Sequence, residues 1–176
     1  VELIGSSALF EINPDEGRLI ADIDYKDPNN GRVKEGWLLI SRSGQIYGLI
    51  GSVAFATSFH EGKIVTDDII RLALPHEADL NSGYLYIALT HPTLGRPLLK
   101  SLSYGSSIPH IEPEDIKNLQ IVRLDRADEL RIGKLAQQSS HMFSEADSIE
   151  KEVAQEAGEI LERFSSGDLK DVILNG

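Results

Sequence analysis

The side chains that most often carry catalysis are sparse and unhelpfully spaced in this chain. Histidines stand at positions 60, 76, 91, 110 and 141 with no H-x-x-x-H or H-x-x-E-H spacing, so a metal site would need carboxylates gathered by the fold. Ser107 and His110 share a loop, as a nucleophile and its base would, but no G-x-S-x-G elbow surrounds either. Asp115-Ile116-Lys117 fits the acid-and-lysine fragment with which metal-dependent nucleases hold a divalent ion and polarise water. Two further D-x-K triplets, Asp24-Tyr25-Lys26 and Asp168-Leu169-Lys170, occur in a chain with 28 acids, so composition alone supplies the pattern. Gly44, Gly48 and Gly51 do not form G-x-G-x-x-G, and no G-x-x-x-x-G-K-[ST] is present. Asn13-Pro14 continues as Asp15-Glu16, unlike the Asn/Asp-Pro-Pro-Tyr of amino-methylating methyltransferases. The sequence thus predicts neither a catalytic centre nor a metal site.

What remains is a set of donor-rich loops. Ser41, Arg42, Ser43, Gln45 and Tyr47 form one, and Ser106, Ser107 and His110 another, with Lys63, Arg71, Arg96 and Lys100 lying between them in sequence. Arg and Lys neutralise phosphates, while Arg, Gln and Ser can read base edges in the major groove. An ordinary solvated surface uses the same residue types, so composition leaves both readings open.

The 176 residues carry 17 basic and 28 acidic groups, a formal charge of −11, with 41% hydrophobic and 26% charged residues. That is the composition of a chain able to bury a core, and its length suits one domain with an appendage. The absence of cysteine removes disulfides, thiol catalysis and Cys-ligated zinc, and fits a cytoplasmic protein. No apolar run approaches the roughly 18 to 20 residues of a membrane span, and Val1-Glu2-Leu3-Ile4 has no signal-peptide character. A start on Val reads as a piece of a longer protein. The charge is uneven: residues 1 to 36 hold 4 basic and 8 acidic groups, residues 37 to 125 hold 7 and 9, and residues 126 to 176 hold 6 and 11. A nucleic-acid surface is therefore admissible only in the nearly balanced middle.

The elements that must position those loops follow from punctuation and period. Short strands are predicted at Ala8 to Ile12 and Arg18 to Ile23, divided by clusters such as Asn13-Pro14-Asp15-Glu16-Gly17. Trp37-Leu38-Leu39-Ile40-Ser41, too short for a helix and bounded by Gly36, predicts a buried strand that delivers the first loop. Val53 to Thr57 and Ile64 to Leu74 are further strands, and helices are predicted at Tyr84 to Thr90 and from Pro92 or Thr93 to about Leu102. Glu112-Pro113-Glu114-Asp115 suits the first turn of a short helix, and Leu119 to Leu124 reads as a closing strand.

From about Arg126 the period changes. Ile132, Leu135, Ser139, Met142, Ala146, Ile149, Val153, Ala157, Ile160 and Phe164 follow one another by three or four residues, a near-heptad seam on a helix of nearly forty residues. Such a helix, roughly 55 to 60 Å long, cannot bury that seam on a domain of this size and calls for a partner helix. Gly133 and Gly158 weaken it locally, by about 1 kcal/mol each relative to Ala.

Four segments in series now bear on family. Val33-Lys34-Glu35-Gly36-Trp37-Leu38-Leu39-Ile40-Ser41-Arg42-Ser43-Gly44, Ile64 to Leu72, Gly83-Tyr84-Leu85-Tyr86-Ile87-Ala88-Leu89 and Tyr104-Gly105-Ser106-Ser107-Ile108-Pro109-His110-Ile111, followed by the long helix, resemble a target-recognition domain. The family is the specificity subunit of type I restriction-modification enzymes. The resemblance implies an α+β fold: a strand-rich, DNA-binding recognition domain with short helices over residues 1 to 125, then a coiled-coil-forming spacer helix and tail over residues 126 to 176. It implies a non-catalytic, half-length specificity subunit, either separate or part of a fused single-chain enzyme. Its partners would be double-stranded DNA, adenine-methyltransferase subunits that carry S-adenosylmethionine, a restriction and translocase subunit, and a second half or second copy joined through the helix. Candidate DNA-binding residues are Arg42, Ser43, Gln45, Tyr47, Lys63, Ser106, Ser107 and His110, and the partner-helix interface is Ile132, Leu135, Met142, Ala146, Ile149, Val153, Ile160 and Phe164. Asp128-Glu129-Leu130-Arg131 replaces the usual Glu-Gln start of the conserved helix. The charge of −11 supports a rival reading, an acidic protein-interaction module or DNA mimic that does not bind DNA.

Overall fold

The computed structural model describes residues 1–10, 18–21 and 31–166. Among the described residues, two three-stranded sheets, five α-helices and a 3-10 turn at Ser58–His60 make a mixed α+β fold. In the first sheet β1 (Glu2–Ile4) lies between β2 (Arg18–Leu19), antiparallel, and β5 (Ile64–Val65), parallel. In the second, β3 (Leu38–Ser41) lies between β4 (Val53–Phe55) and β6 (Ile69–Leu72), both antiparallel, with Ile40 opposite Val53 and Ile70.

The apolar run of β3 is explained by its place. Leu38 and Ile40 face one core, with Val53, Phe55, Ile70, Leu85, Leu89, Leu99 and Ile111. Leu39, on the opposite face, joins Ile4, Leu9, Val33, Val65 and Ile69 in a second. A strand covered on both sides has no solvent face and loses the polar alternation of a surface strand. The first core is roofed by α2 (Ser82–Thr90), α3 (Arg96–Ser101) and α4 (Pro113–Lys117). Asn81 caps α2 by accepting from the Tyr84 amide at 3.0 Å.

Helix α5 (Arg126–Ser165) starts at Asp125, whose carboxylate accepts from the Asp128 amide, and runs 40 residues, as the period predicts. Its first half lies across α2. The approach is so close that a Cβ on Gly83 would collide with the Gly133 carbonyl and one on Gly133 with the Asn81 side chain. The Glu129 carboxylate, almost inaccessible, takes two bonds from Arg123, at 2.7 and 2.9 Å, and one from the Leu124 amide at 3.0 Å.

Four expectations need correction. The strand expected over Ile64 to Leu74 is two, β5 and β6, which belong to different sheets because a turn closed by the Ile69 amide on the Thr66 carbonyl at 3.0 Å divides them. Ala8 to Phe10 belong to a helical turn, α1 (Ser6–Phe10), whose Leu9 amide bonds the Gly5 carbonyl; three residues were too few to set a period, and Glu11 and Ile12 lie outside the described residues. Leu119 to Leu124 form no ladder: Leu119 and Ile121 pack on the first core and the Val122 carbonyl accepts from the Tyr84 hydroxyl at 2.6 Å, so the segment is a strap. The helix expected from Pro92 or Thr93 starts at Arg96, because the amides of Gly95 and Arg96 both bond the His91 carbonyl in a turn. Of the strand expected at Arg18 to Ile23, Arg18–Leu19 is present and Asp22 and Ile23 lie outside the described residues.

Candidate nucleic-acid interface

The two loops singled out by their donors are one structure. Where β3 ends, the Arg42 amide donates to the Asp68 carbonyl at 2.7 Å and its carbonyl accepts from the Ile111 amide at 2.9 Å. Ser43 forms a bridge to His110, and the Gly44 amide donates to the Pro109 carbonyl at 3.2 Å. His110 is in turn bridged to Tyr104 by reciprocal backbone bonds of 2.9 and 3.0 Å, which close the loop that carries Ser106 and Ser107. Gly44 at φ 132° and Gly105 at φ 108° hold backbone conformations that other residues rarely adopt.

Side chains reinforce the junction. Arg42 donates from Nη2 to Glu112 Oε1 at 2.6 Å and from Nε to the Ile111 carbonyl at 3.2 Å. The Tyr104 hydroxyl donates to the same carboxylate oxygen at 3.1 Å, and the Tyr104 and His110 rings lie 4.5 Å apart at a tilt. The guanidinium of Arg42 is the main reason the Glu112 carboxyl sits below the usual carboxylate range, while partial burial and then the Glu112 carboxylate push the Tyr104 hydroxyl up. Ser43 Oγ donates to Asp68 Oδ1 at 2.8 Å. Arg42 and Ser43 therefore face protein carboxylates, and this sets them apart from the open donors expected of base readers. Gln45, Tyr47, Ser106 and Ser107 are exposed.

Lys63 is not brought to this surface. It precedes β5, where its ammonium pairs with Glu2 at 3.2 Å and lies 3.7 Å over the Phe59 ring. Two basic residues from α3 stand beside the first loop instead: Lys100 donates to the Ile46 carbonyl, and Arg96 to Ser52 Oγ at 3.5 Å. The acids Asp68 and Glu112 were missed because no spacing rule links them to residues 25 and 70 positions away.

The long helix carries two stripes. Glu129, Gly133, Ala136 and Ser144 are buried against the domain, whereas Leu135, Met142, Ala146, Ile149, Val153, Ile160 and Phe164 are exposed. Ile132, half-buried, lines an apolar cleft together with Tyr84, Leu98 and Val122. Gly133 and Ala136 each follow a seam residue by one position, so the gripped face is turned about 100° from the seam. Small residues allow the close approach, and a polar contact fixes the far end. Thr57, fully buried, bonds Ser144 Oγ and His60 Nδ1, the latter at 3.1 Å. Burial, and secondarily Lys63, push the His60 imidazole down to about 4.

Among the described residues no group of three His, Cys, Asp or Glu side chains is placed to hold a metal ion, and no helix is long and apolar enough to cross a membrane. Lys117, of the Asp115-Ile116-Lys117 fragment, pairs with Glu114 at 2.5 Å; Asp24, Lys26, Asp168 and Lys170 lie outside the described residues. No protein-family model matches this chain, and no curated protein matches it significantly.

Proposed function

We propose that this chain is a non-catalytic, cytoplasmic DNA-recognition module of the kind found in specificity subunits of type I restriction-modification enzymes. It would read part of a duplex site and deliver it to adenine-methyltransferase subunits, which carry the S-adenosylmethionine, and to a restriction and translocase subunit. The observation that carries this reading is the junction of the loops at Ser43 and His110, which sets Gln45, Tyr47, Ser106 and Ser107 on one connected surface with Arg96 and Lys100 beside it. Rigidly held polar loops of this kind suit base-edge contacts, and flanking cations suit phosphates. Arg42 acts in this reading as the clasp that places the loops. The uncovered seam of α5 would pair with the helix of a second half or a second copy.

The test is selection from a pool of randomised duplex DNA, with and without an adenine-methyltransferase subunit, at low and moderate salt. Enrichment of a short motif is the expected outcome. No enrichment in any condition, with tight binding to the methyltransferase subunit, would replace this reading with an acidic interaction module, which the charge of −11 favours.

A further inference from the structure

Tyr47 is 99% exposed, more than any other large apolar side chain among the described residues. A single exposed apolar residue is unremarkable on a loose loop, but this one stands on a firmly held loop. The Gly48 amide donates to the Gln45 carbonyl at 2.8 Å, closing the turn that presents Tyr47, and the Ser52 amide closes the next turn on Leu49 at 2.8 Å. Lys100 grips the Ile46 carbonyl from below, and Gly51, at φ 71°, lets the loop lie against Leu99 and Lys100 of α3. The turn is thus braced from three sides while the ring it carries makes no use of that bracing for itself.

The chemistry around it narrows what the ring meets. Ile46 is 48% exposed beside it, Lys100 and Arg96 reach the Ile46 carbonyl and the Ser52 hydroxyl from α3, and the Glu112 charge at the base of the loop is met by Arg42. An aromatic tip on a loop with cations beside it can take a nucleobase on the ring and phosphates on the cations, since every base offers a flat face. Apolar wedges of this kind enter a duplex at steps that unstack cheaply.

Resting on the DNA-recognition reading above, we propose that Tyr47 is a stacking wedge that inserts against a base at a weakened step of the duplex, so that the module senses duplex deformability as well as base edges.

The experiment compares the full chain with Tyr47→Ala, Tyr47→Phe and Arg96→Ala on short labelled duplexes by fluorescence anisotropy. The duplexes are otherwise identical, one fully paired and one with a central mismatch, and each is tested with and without an adenine-methyltransferase subunit. Substitution of so exposed a ring leaves the fold intact, which circular dichroism verifies. The wild-type chain is expected to prefer the mismatched duplex. Tyr47→Ala should erase that preference and weaken binding to that duplex by roughly 5- to 100-fold, with Tyr47→Phe close to wild type. Arg96→Ala should weaken both duplexes alike and lower the salt dependence. Binding of Tyr47→Ala equal to wild type on both duplexes would overturn the wedge and leave DNA recognition standing, as would Tyr47→Phe falling as far as Tyr47→Ala. A loss confined to the methyltransferase subunit would make Tyr47 a protein contact and overturn it too. Failure of wild type to bind any duplex would remove both readings together.

Discussion

The Arg42 guanidinium, expected among the DNA contacts, is bonded in the folded chain to Glu112 and the Ile111 carbonyl. A residue acting through loop placement has a different mutational signature from a base reader, which relaxes preference at one base pair. Arg42→Ala is therefore expected to lower affinity across all sequences in the randomised-duplex selection while leaving the enriched motif unchanged. Faster hydrogen exchange at the Ile111 amide, which bonds the Arg42 carbonyl, should accompany it. Relaxation at a single base pair would make Arg42 a reader after all. The clasp has a pH range: the Glu112 carboxyl is depressed, so its contribution is present above the ordinary carboxylate range and is lost as pH falls through the depressed value. The donors of both loops were legible in the sequence, because Ser, Arg, Gln and His between glycines mark polar turns. Their acceptors were not, since Asp68 and Glu112 resemble any surface acid until the fold brings them close.

Gly133 and Gly158 are alike in sequence, both interruptions of α5, and opposite in structure. Nothing lies within 4 Å of a Cβ built on Gly158, whereas one on Gly133 strikes Asn81 and the Tyr84 amide. Gly158→Ala should stabilise the chain by about 0.5–1 kcal/mol, as relief of backbone entropy. Gly133→Ala should destabilise it by roughly 1–3 kcal/mol or more, as overpacking at a helix crossing. Thermal unfolding of the two variants decides it, and equal shifts of one sign would contradict the crossing geometry. The His60 imidazole supplies a second handle. Its folded pKa, about 4, lies below the usual 6.5, so the unfolded chain binds the extra proton between those values. Stability should fall as pH drops through that window, by roughly 3 kcal/mol at most. Protonation removes the Nδ1 acceptor that the Thr57 amide uses, with Lys63 adding repulsion and Glu2 attraction. His60→Asn, which keeps an acceptor and cannot titrate, should flatten the melting temperature against pH. At this scale the sequence was a good guide where period or punctuation is strong, as in β3, α2 and α5. It failed at Ala8 to Phe10 and Leu119 to Leu124, where short apolar stretches satisfy their backbone through a helical turn and the Tyr84 hydroxyl. The face of α5 that grips the domain was also hidden, because its buried residues Glu129, Gly133, Ala136 and Ser144 are small or charged and no large apolar side chain marks it.

For the whole molecule, the seam is the feature without an internal answer. Met142, Ile149 and Val153 remain 63%, 54% and 59% exposed. If they meet a second helix, a paired Ile149→Glu, Val153→Glu variant should sediment as a monomer where wild type is concentration-dependent, with an unchanged melting transition for the domain. An identical mass for both chains at all concentrations would show that the seam awaits a different protein.

The grip on α5 ends near Ser148, and residues 149 to 165 project beyond it as an arm of about 25 Å. Mechanically this is a cantilever clamped at Gly133 and Ser144. A ten-degree tilt at the clamp would swing its tip by about 4 Å, roughly four-fifths of the rise of one helical turn. A second helix closed on the seam would act as a second bearing for the arm and so hold the loops joined at Ser43 and His110 in a fixed direction relative to it.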